Sequence, residues 1–357
     1  MWFNPGIPFR KGDQAMTDTI DVSVVVCTCN RAPMLRDALE SLTHLETGGR
    51  FTYEVLVIDN ASTDDTPTVI AEVAGRSAVP MRGVREPRRG IVPARNRGID
   101  EARGEWIAFF DDDQAAETDW LAELMAAADR HQARCVGGAV HLRLPAESRE
   151  RQLSPVCRML LGETVGMTAE RPYSVTVSPG AGNLLLHRDL FEEVGRFDEA
   201  FATRGEDTDL FMRIYAAGIE AWYTPTAVVQ HVIPPERLSD GYLIEMAART
   251  AEGMAFDERD ARGVWLFPLI WLARIGQAAC LLLPRWVGAV LCRDREQVLG
   301  ARCRLAIAAR YLRDGARLMT ADSSPSHPGC GRRARGTERD GNGITSIRQQ
   351  TQAGTTP

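Results

Sequence analysis

Three consecutive aspartates, Asp111, Asp112 and Asp113, follow the apolar run of residues 106–110. This pattern is typical of a buried strand that delivers acids to the carboxyl edge of an α/β sheet, where such sheets bind ligands. Two like charges about 4 Å apart repel by roughly 4 kcal/mol at an effective dielectric of about 20, so the carboxylates need a cation or hydrogen-bond donors. Their oxygens suit Mg²⁺ or Mn²⁺. The alternative is a solvated acidic turn that caps a helix starting near Thr118.

A second acidic pair, Glu206 and Asp207, opens a helical pattern that Gly218 would close. Spacings of three, four and seven residues place Asp207 on the same face as Leu210, Phe211 and Ile214. A buried acid is costly unless it is used. The helix N-terminus lowers the pKa of such a carboxylate while burial raises it, which could leave a shielded but ionised general base. The alternative is an ordinary helix N-cap.

Arginines gather before the acidic strand. Arg85, Arg88 and Arg89 lie in a loop, and Arg95 follows Pro93 at the predicted start of a helix that runs to about residue 102. Guanidinium groups near a helix N-terminus favour anions such as phosphate, because the helix dipole and the fork geometry both suit them. The loop arginines could equally be solvated surface charge. Arg95 is the better candidate for an anion site.

Apolar runs and helical patterns alternate along the first half of the chain. Residues 22–27, 55–58, 81–84 and 135–140 are predicted strands. Helical patterns follow at Leu35, Ala38, Leu39 and Leu42 after the turn at Asn30 and Pro33, and at residues 66–73 and 118–128. This alternation indicates an α/β fold with a parallel sheet. Asp59 follows the second strand, where a doubly wound sheet would contact a ribose or base. Neither GxGxxG after the first strand nor GxxxxGK[ST] occurs, so the dinucleotide fingerprint and the P-loop are excluded.

Composition narrows the class of protein. The 357 residues are 44% hydrophobic and 25% charged with a net charge of −6, which is ordinary for a globular protein and does not indicate a nucleic-acid partner. Eight cysteines without CxxC pairs indicate reduced core thiols in a cytosolic compartment and no zinc site. The first residues contain no apolar segment of a signal peptide. Met16 is a plausible start, and residues 1–20 are expected to form a disordered arm.

In order along the chain, the strings VVVCTCNR (24–31), VIDNASTDDT (57–66), GIVPARNRGIDEARG (90–104) and FFDDD (109–113) resemble a family 2 glycosyltransferase of the inverting, bacterial polysaccharide type. The resemblance covers residues 22 to about 235. It implies an α/β GT-A fold with a mostly parallel central sheet flanked by helices, and a C-terminal helical extension. The expected organisation is a catalytic domain over 21–240, a helical region over 241–320 and a disordered tail over 321–357.

The resemblance also implies roles for individual residues. Asp207 would be the general base and Glu206 an acceptor-orienting neighbour. Asp113, Asp111 and His231 would hold Mg²⁺ or Mn²⁺. The residues expected to bind the nucleotide sugar are Thr28, Asn30, Arg31, Asp59, Asn60, Arg95, Asn96, Asp111, Asp112, Gly180, Gly182 and Asn183.

The implied reaction moves a sugar from a nucleotide-diphosphate donor to a hydroxyl of a saccharide or lipid-linked saccharide in cell-envelope or exopolysaccharide synthesis. A nucleotidyltransferase would also use strand-end aspartates and a metal, but a glycine-rich loop with lysine is absent after the first strand. A catalytically silent nucleotide-sugar-binding protein would be expected to lose the acids that this chain keeps.

An apolar stretch over residues 264–284 is interrupted by Pro268, Arg274 and Gln277, so it is only marginally a membrane span. With Trp265, Trp271 and Trp286 it fits a helix in the membrane interface, and a buried hairpin packed on the catalytic domain is the alternative. Residues 293–318 read as a basic helix. We therefore expect a cytoplasmic protein with a peripheral contact to the inner face of the cell membrane through 264–318.

Overall fold

The computed structural model describes residues 19–201 and 205–320. The predictions of a start at Met16 and of a disordered tail over 321–357 lie outside the described residues, as does Cys330. So does nearly all of the predicted N-terminal arm, since only residues 19 and 20 of it are described.

Within the part of the chain that the structure describes, nine strands form one sheet. They are β1 (Val22–Thr28), β2 (Tyr53–Asp59), β3 (Met81–Arg85), β4 (Trp106–Asp111), β5 (Gln114–Ala116), β6 (Cys135–Arg143), β7 (Arg171–Pro172), β8 (Asn183–His187) and β9 (Ala221–Val232). Their order is β3-β2-β1-β4-β8-β6-β9-β5, with β7 added on β9.

The sheet is mixed, whereas a mostly parallel sheet was expected. β1 is parallel to β2 and β4, and β2 is parallel to β3, as the alternating pattern predicted. β8 then inserts antiparallel between β4 and β6, and β5 and β7 run antiparallel to β9. The α/β class is confirmed, and the parallel half of the sheet carries the acidic strand.

Helices cover both faces of the sheet and extend beyond it. They are α1 (Ala32–Leu42), α2 (Thr66–Arg76), α3 (Ile91–Glu101), α4 (Trp120–His131), α5 (Pro155–Leu160), α6 (Leu190–Val194), α7 (Glu206–Ala216), α8 (Asp240–Thr250), α9 (Met254–Arg262), α10 (Phe267–Gln277), α11 (Leu283–Leu291) and α12 (Arg295–Thr320). Short 3-10 turns occur at Ala146–Ser148 and Pro235–Leu238, and a π turn at Ala278–Leu282 joins α10 to α11.

Alternation along the strands divides the core into two layers. In β1, Val24 and Val26 pack with α1, α2 and α4, while Val25 faces the layer that contains α3, α6 and α7. The predicted inward stripe of α1, which includes Leu35 and Leu39, is fully buried. This packing fixes the carboxyl ends of β1 and β4 side by side.

Two predictions about individual segments need correction, and one helix was not predicted. α3 begins at Ile91, two residues before Pro93. The helix that was not predicted is α5, which is too short to show a clear period in the sequence. Of the cysteines expected in the core, Cys280 and Cys292 are exposed on the C-terminal helices.

The C-terminal helices pack in two ways. α8 and α12 bury apolar side chains against α5, so this part is joined to the sheet. The continuous helix from α10 through α11 is almost entirely exposed, with only Phe267 buried in α10 and no buried residue in α11. Its π turn lies just before Pro284, which has no N–H to donate to the helix ladder. By length and composition this one helix could cross a membrane.

Candidate active site

The carboxyl ends of β1 and β4 open into a cavity of about 820 Å³. Cys27 of β1 pairs with Asp111 of β4, and the start of α7 closes the opposite side. The lining residues are Cys27, Thr28, Cys29, Arg31, Asn60, Ile91, Ala94, Arg95, Asp111, Asp112, Asp113, Gly205, Glu206, Asp207, Thr208, His231 and Arg237. The cavity therefore joins the two acidic motifs that lie almost a hundred residues apart in the sequence.

Asp111 faces the interior of this cavity. Although 46% of its side chain is accessible, loss of bulk water raises the pKa of Asp111 to about 6, with Arg95 opposing the rise and Asp113 and Asp112 adding to it. Desolvation likewise raises the pKa of Asp112, against the charge of Arg31. Burial, with a smaller contribution from mutual repulsion, thus disfavours the ionised carboxylates, so a cation among them would be bound favourably.

Arg31 partly neutralises this charge. It lies at the N-cap of α1 and donates from Nη1 to Asp112 at 2.8 Å and to Asp113 at 3.1 Å. Desolvation disfavours the ionised form of Asp113, but a hydrogen bond from His231 and the charges of Arg31 and Arg237 hold the pKa of Asp113 below its usual value. Asp113 is therefore the most heavily partnered carboxylate of the three.

His231 stands beside Asp113 because β5 and β9 are paired with Gln114 opposite His231. Its Nδ1 is 2.8 Å from the carbonyl oxygen of Leu161, so in the neutral ring donation from Nδ1 leaves a lone pair on Nε2 that can bind a cation, and only the protonated ring also donates from Nε2 to Asp113. That Nε2 is 3.5 Å from Asp113 Oδ2. One imidazole nitrogen and one carboxylate oxygen at this spacing suit a divalent cation.

The expected three-residue metal site is not preformed. Within residues 19–201 and 205–320, no group of three or more His, Cys, Asp or Glu side chains is close enough to hold an ion. Asp113 and His231 fit as two ligands, and Asp111 would have to approach them. Such a site would take further ligands from water and a diphosphate, as Mg²⁺ commonly does.

The two acids at the start of α7 occupy different environments. Glu206 is buried and accepts a hydrogen bond from Arg95, whose guanidinium also lies 4.0 Å from Asp111. Asp207 is only partly buried and lines the cavity, with its Oδ1 2.7 Å from the backbone N–H of Thr208. The prediction that Asp207 lies on the buried stripe is therefore wrong, because α7 begins at Glu206, which turns inward to Arg95.

Several residues expected at the nucleotide sugar lie outside the cavity lining. Asn30 is exposed, and its Oδ1 accepts from the Thr63 N–H at 2.7 Å. Asp59 is buried and accepts from the Ser62 N–H at 2.9 Å. The Asn30 contact connects the loops after β1 and β2, and the Asp59 contact lies within the loop after β2, so the two side chains shape the loops that border the cavity.

Asn96 and Asn183 are buried and bound to the protein itself. Asn96 exchanges hydrogen bonds of 2.9 and 3.1 Å with the backbone of Phe197. Asn183 accepts from the Trp120 indole at 2.8 Å and donates to the carbonyl oxygen of Ala139 at 2.9 Å. Both amides therefore hold chain segments together near the site.

The two predicted glycines differ. A Cβ on Gly182 would lie 2.2 Å from Asp111 Oδ2, whereas one on Gly180 would meet nothing within 4 Å. Gly182 thus allows Asp111 its position. The sequence prediction missed Arg237, which lines the cavity beside Asp113 and His231; its only signal was its place after Pro234 and Pro235.

The sequence of the chain is similar to those of known proteins. Residues 23–195 match the model of the family described as glycosyl transferase family 2. The chain is 29% identical over 240 residues to the succinoglycan biosynthesis protein ExoM of Rhizobium meliloti, covering 66% of this chain and 74% of that protein. It is 26% identical over 270 residues to the glycosyltransferase AglE of Haloferax volcanii, covering 75% of this chain and 82% of that protein.

A solved structure shares the fold. The mannosyltransferase PcManGT from Pyrobaculum calidifontis, in complex with GDP-Man and Mn²⁺, superposes with a TM-score of 0.55 at 21% identity. The match covers 83% of this chain and 88% of that one.

Proposed function

Since the chain belongs to glycosyl transferase family 2, we propose that it moves a sugar from a nucleoside-diphosphate sugar to an acceptor hydroxyl with inversion at the anomeric carbon. The observation that carries this proposal is that Asp207 lines the same cavity as Asp111, Asp112 and Asp113. A donor anchored at the aspartates would thus have its anomeric carbon within the cavity that the proposed base faces. Residues 21–240 would form the catalytic unit.

The donor would lie along the carboxyl ends of β1 and β4. Thr28, Arg31 and Asn60 line the cavity on the side of β1, where they would contact the nucleotide, and Asp111 and Asp112 would face the ribose and sugar. A divalent cation held by Asp113 and His231, with Asp111, would supply positive charge next to the leaving diphosphate. The Mn²⁺ and GDP-Man in the structurally similar mannosyltransferase support this arrangement.

Asp207 would act as the general base. Its carboxylate takes the proton of the acceptor hydroxyl while the acceptor oxygen forms a bond to the anomeric carbon and the bond from that carbon to the diphosphate oxygen breaks. Attack opposite the leaving group inverts the configuration. Glu206 is buried against Arg95, so we assign it to fixing the first turn of α7 and thereby orienting Asp207 towards the acceptor.

The acceptor would be a saccharide or a lipid-linked saccharide of an exported polysaccharide. One relative is named a succinoglycan biosynthesis protein, which supports a polysaccharide product. The exposed helix over α10 and α11, with Trp265 just before it, supports a site of action at a lipid surface, because Trp265, Leu269, Leu272 and Leu291 are all more than half exposed. We propose a cytoplasmic enzyme that contacts the inner face of the cell membrane through this helix.

Replacement of the base tests the reaction. Asp207→Asn keeps the size of the side chain and removes its basicity, so sugar transfer should fall by on the order of 10³-fold or more while nucleotide affinity stays within about twofold. Measurement of released nucleoside diphosphate and of glycosylated product follows both partners. Equal turnover by Asp207→Asn would remove this residue as the base. Release of pyrophosphate would instead support a nucleotidyltransferase, and binding without turnover by the wild type would support a silent binding protein.

A further inference from the structure

Arg237 is the cavity arginine with the weakest protein contacts. Its Nη1 is 3.5 Å from Asp113 Oδ2 and 3.3 Å from His231 Nε2, both long for hydrogen bonds. Arg95 is engaged by the buried Glu206, and Arg31 donates to Asp112 at 2.8 Å. Arg237 could therefore exchange its contacts for a stronger anionic ligand with little loss.

The charge of the cavity indicates why such an exchange is needed. Five carboxylates and three arginines line it, so a diphosphate would enter a space with a net negative charge. A guanidinium binds phosphate oxygens through short, charge-assisted hydrogen bonds, which are stronger than long contacts to an already partnered carboxylate. Arg237 stands beside Asp113 and His231, the pair that fits a divalent cation, and hence where a diphosphate bound to that cation would lie.

The turn that carries Arg237 is braced by the C-terminal helix. Arg151 donates from Nη1 to the carbonyl oxygen of Leu238 at 2.8 Å, and its Nε is 2.9 Å from Glu296 in the first turn of α12. Leu238 itself is buried among the residues of α5, α8 and α12. The 3-10 turn Pro235–Leu238 is thus fixed by Arg151 and α5, which lie within the 23–195 family match, together with Glu296, α8 and α12, which lie outside it.

We propose that Arg237 binds the diphosphate of the donor, and that Arg151, held by Glu296, is a positioning residue for the turn that presents it. This inference rests on the proposed donor site. It gives the C-terminal helical region a part in donor binding, because α12 holds the turn through the Glu296 and Arg151 contacts.

Selectivity for a diphosphate over a monophosphate tests the proposal. Calorimetry with the wild-type full chain and Mg²⁺ would first identify which of UDP, GDP and dTDP binds, and would then compare that nucleotide with its monophosphate. Arg237→Gln should weaken diphosphate binding by about tenfold and leave monophosphate binding within about twofold. The diphosphate affinity of Arg237→Lys should lie between that of the wild type and that of Arg237→Gln. Arg151→Gln should change the selectivity in the same direction by about threefold.

Arg249→Gln is the matched control, since Arg249 pairs with Glu245 on an exposed face of α8. Thermal unfolding of each variant checks that it is folded. Unchanged selectivity in folded Arg237→Gln, or equal weakening of both nucleotides, would overturn the role of Arg237. Unchanged selectivity in Arg151→Gln would overturn the brace. Failure of the wild type to bind any diphosphate would contradict the proposed donor site itself, which is a different result.

Discussion

The Arg95 guanidinium donates to the Glu206 carboxylate, and both side chains are buried beneath the cavity. Because Arg95 belongs to α3 and also lies 4.0 Å from Asp111, one cation joins the end of β4 to the start of α7. The ring of Phe197 lies under the same guanidinium, 5.4 Å from its carbon. The donor and acceptor sides of the cavity are therefore held by one buried charge.

Removal of this charge should destabilise the protein. Arg95→Met leaves the Glu206 carboxylate buried without its cation, which should lower the free energy of unfolding by about 3–5 kcal/mol. Arg95→Met combined with Glu206→Gln should recover part of that loss, because no buried charge remains. Urea unfolding of these two variants and the wild type measures the change in the free energy of unfolding. A loss below about 1 kcal/mol in the single variant would show that the pair is not a structural bridge.

Gly182→Ala should damage the site with little effect on the fold. The added methyl would lie 2.2 Å from Asp111 Oδ2 and 2.6 Å from its Cγ, so the carboxylate must move. We expect a loss of nucleotide affinity of about tenfold, because the displaced carboxylate no longer occupies its position in the cavity. Gly180→Ala is the control, since its methyl meets nothing within 4 Å. Equal affinities of the two variants would contradict the tight contact at Asp111.

Glu170 should make stability depend on pH in acid. A hydrogen bond from Arg130, helped by His131 and Thr224 and opposed by burial, lowers the pKa of Glu170 from 4.5 to about 2. An acid whose pKa is lower in the folded state stabilises that state above its unfolded pKa, and this contribution is lost as pH falls from about 4.5 towards 2. Glu170→Gln should cost about 1–2 kcal/mol near neutral pH, after allowance for screening at a partly exposed pair.

The measurement is urea unfolding of the wild type and Glu170→Gln at several pH values. The difference between the two proteins should shrink as the pH falls below about 4.5. A difference that stays constant down to the lowest pH at which both are folded would exclude Glu170 as its source.

The exposed helix should determine binding to lipid. Leu269→Glu combined with Leu272→Glu places two charges on the outward face of α10, where both leucines are more than half exposed. The membrane would bury both leucines when the protein binds, so their loss should weaken binding to lipid vesicles by tenfold or more. Val165→Glu with Val175→Glu, two exposed apolar positions elsewhere, is the matched control. Vesicle sedimentation that is the same for both double variants would contradict a membrane contact through this helix.

The sequence predicted well those features that depend on local pattern. Valine-rich β1, the stripe of α1 and the acids at the end of β4 follow from side-chain periodicity and are all observed. Proximity of Asp111 to Asp207 followed only from the resemblance to a family, because no local pattern relates them.

Features that depend on partners distant in the chain were not predictable. Both Glu206 and Asp207 have helical spacing to Leu210, and the contact of Glu206 with Arg95, 111 residues away, determines which one is buried. The resemblance assigned Asn96 to the nucleotide sugar, and its hydrogen bond to the backbone of Phe197, 101 residues away, had no signal in the sequence. Arg237 carried no signal beyond its place after Pro234 and Pro235, since its contact with Asp113 arises only when β5 pairs with β9.

The most direct test of the donor site is a thermal-shift panel of UDP, GDP, dTDP and CMP, each with and without Mn²⁺, on the wild type and on Asp113→Ala. We expect one nucleotide to raise the Tm by several degrees only when Mn²⁺ is present, since a ligand that binds the folded state stabilises it. That rise should disappear in Asp113→Ala. No shift with any nucleotide in folded wild-type protein, or a shift that persists in Asp113→Ala, would contradict a metal-assisted nucleotide-sugar site at these aspartates.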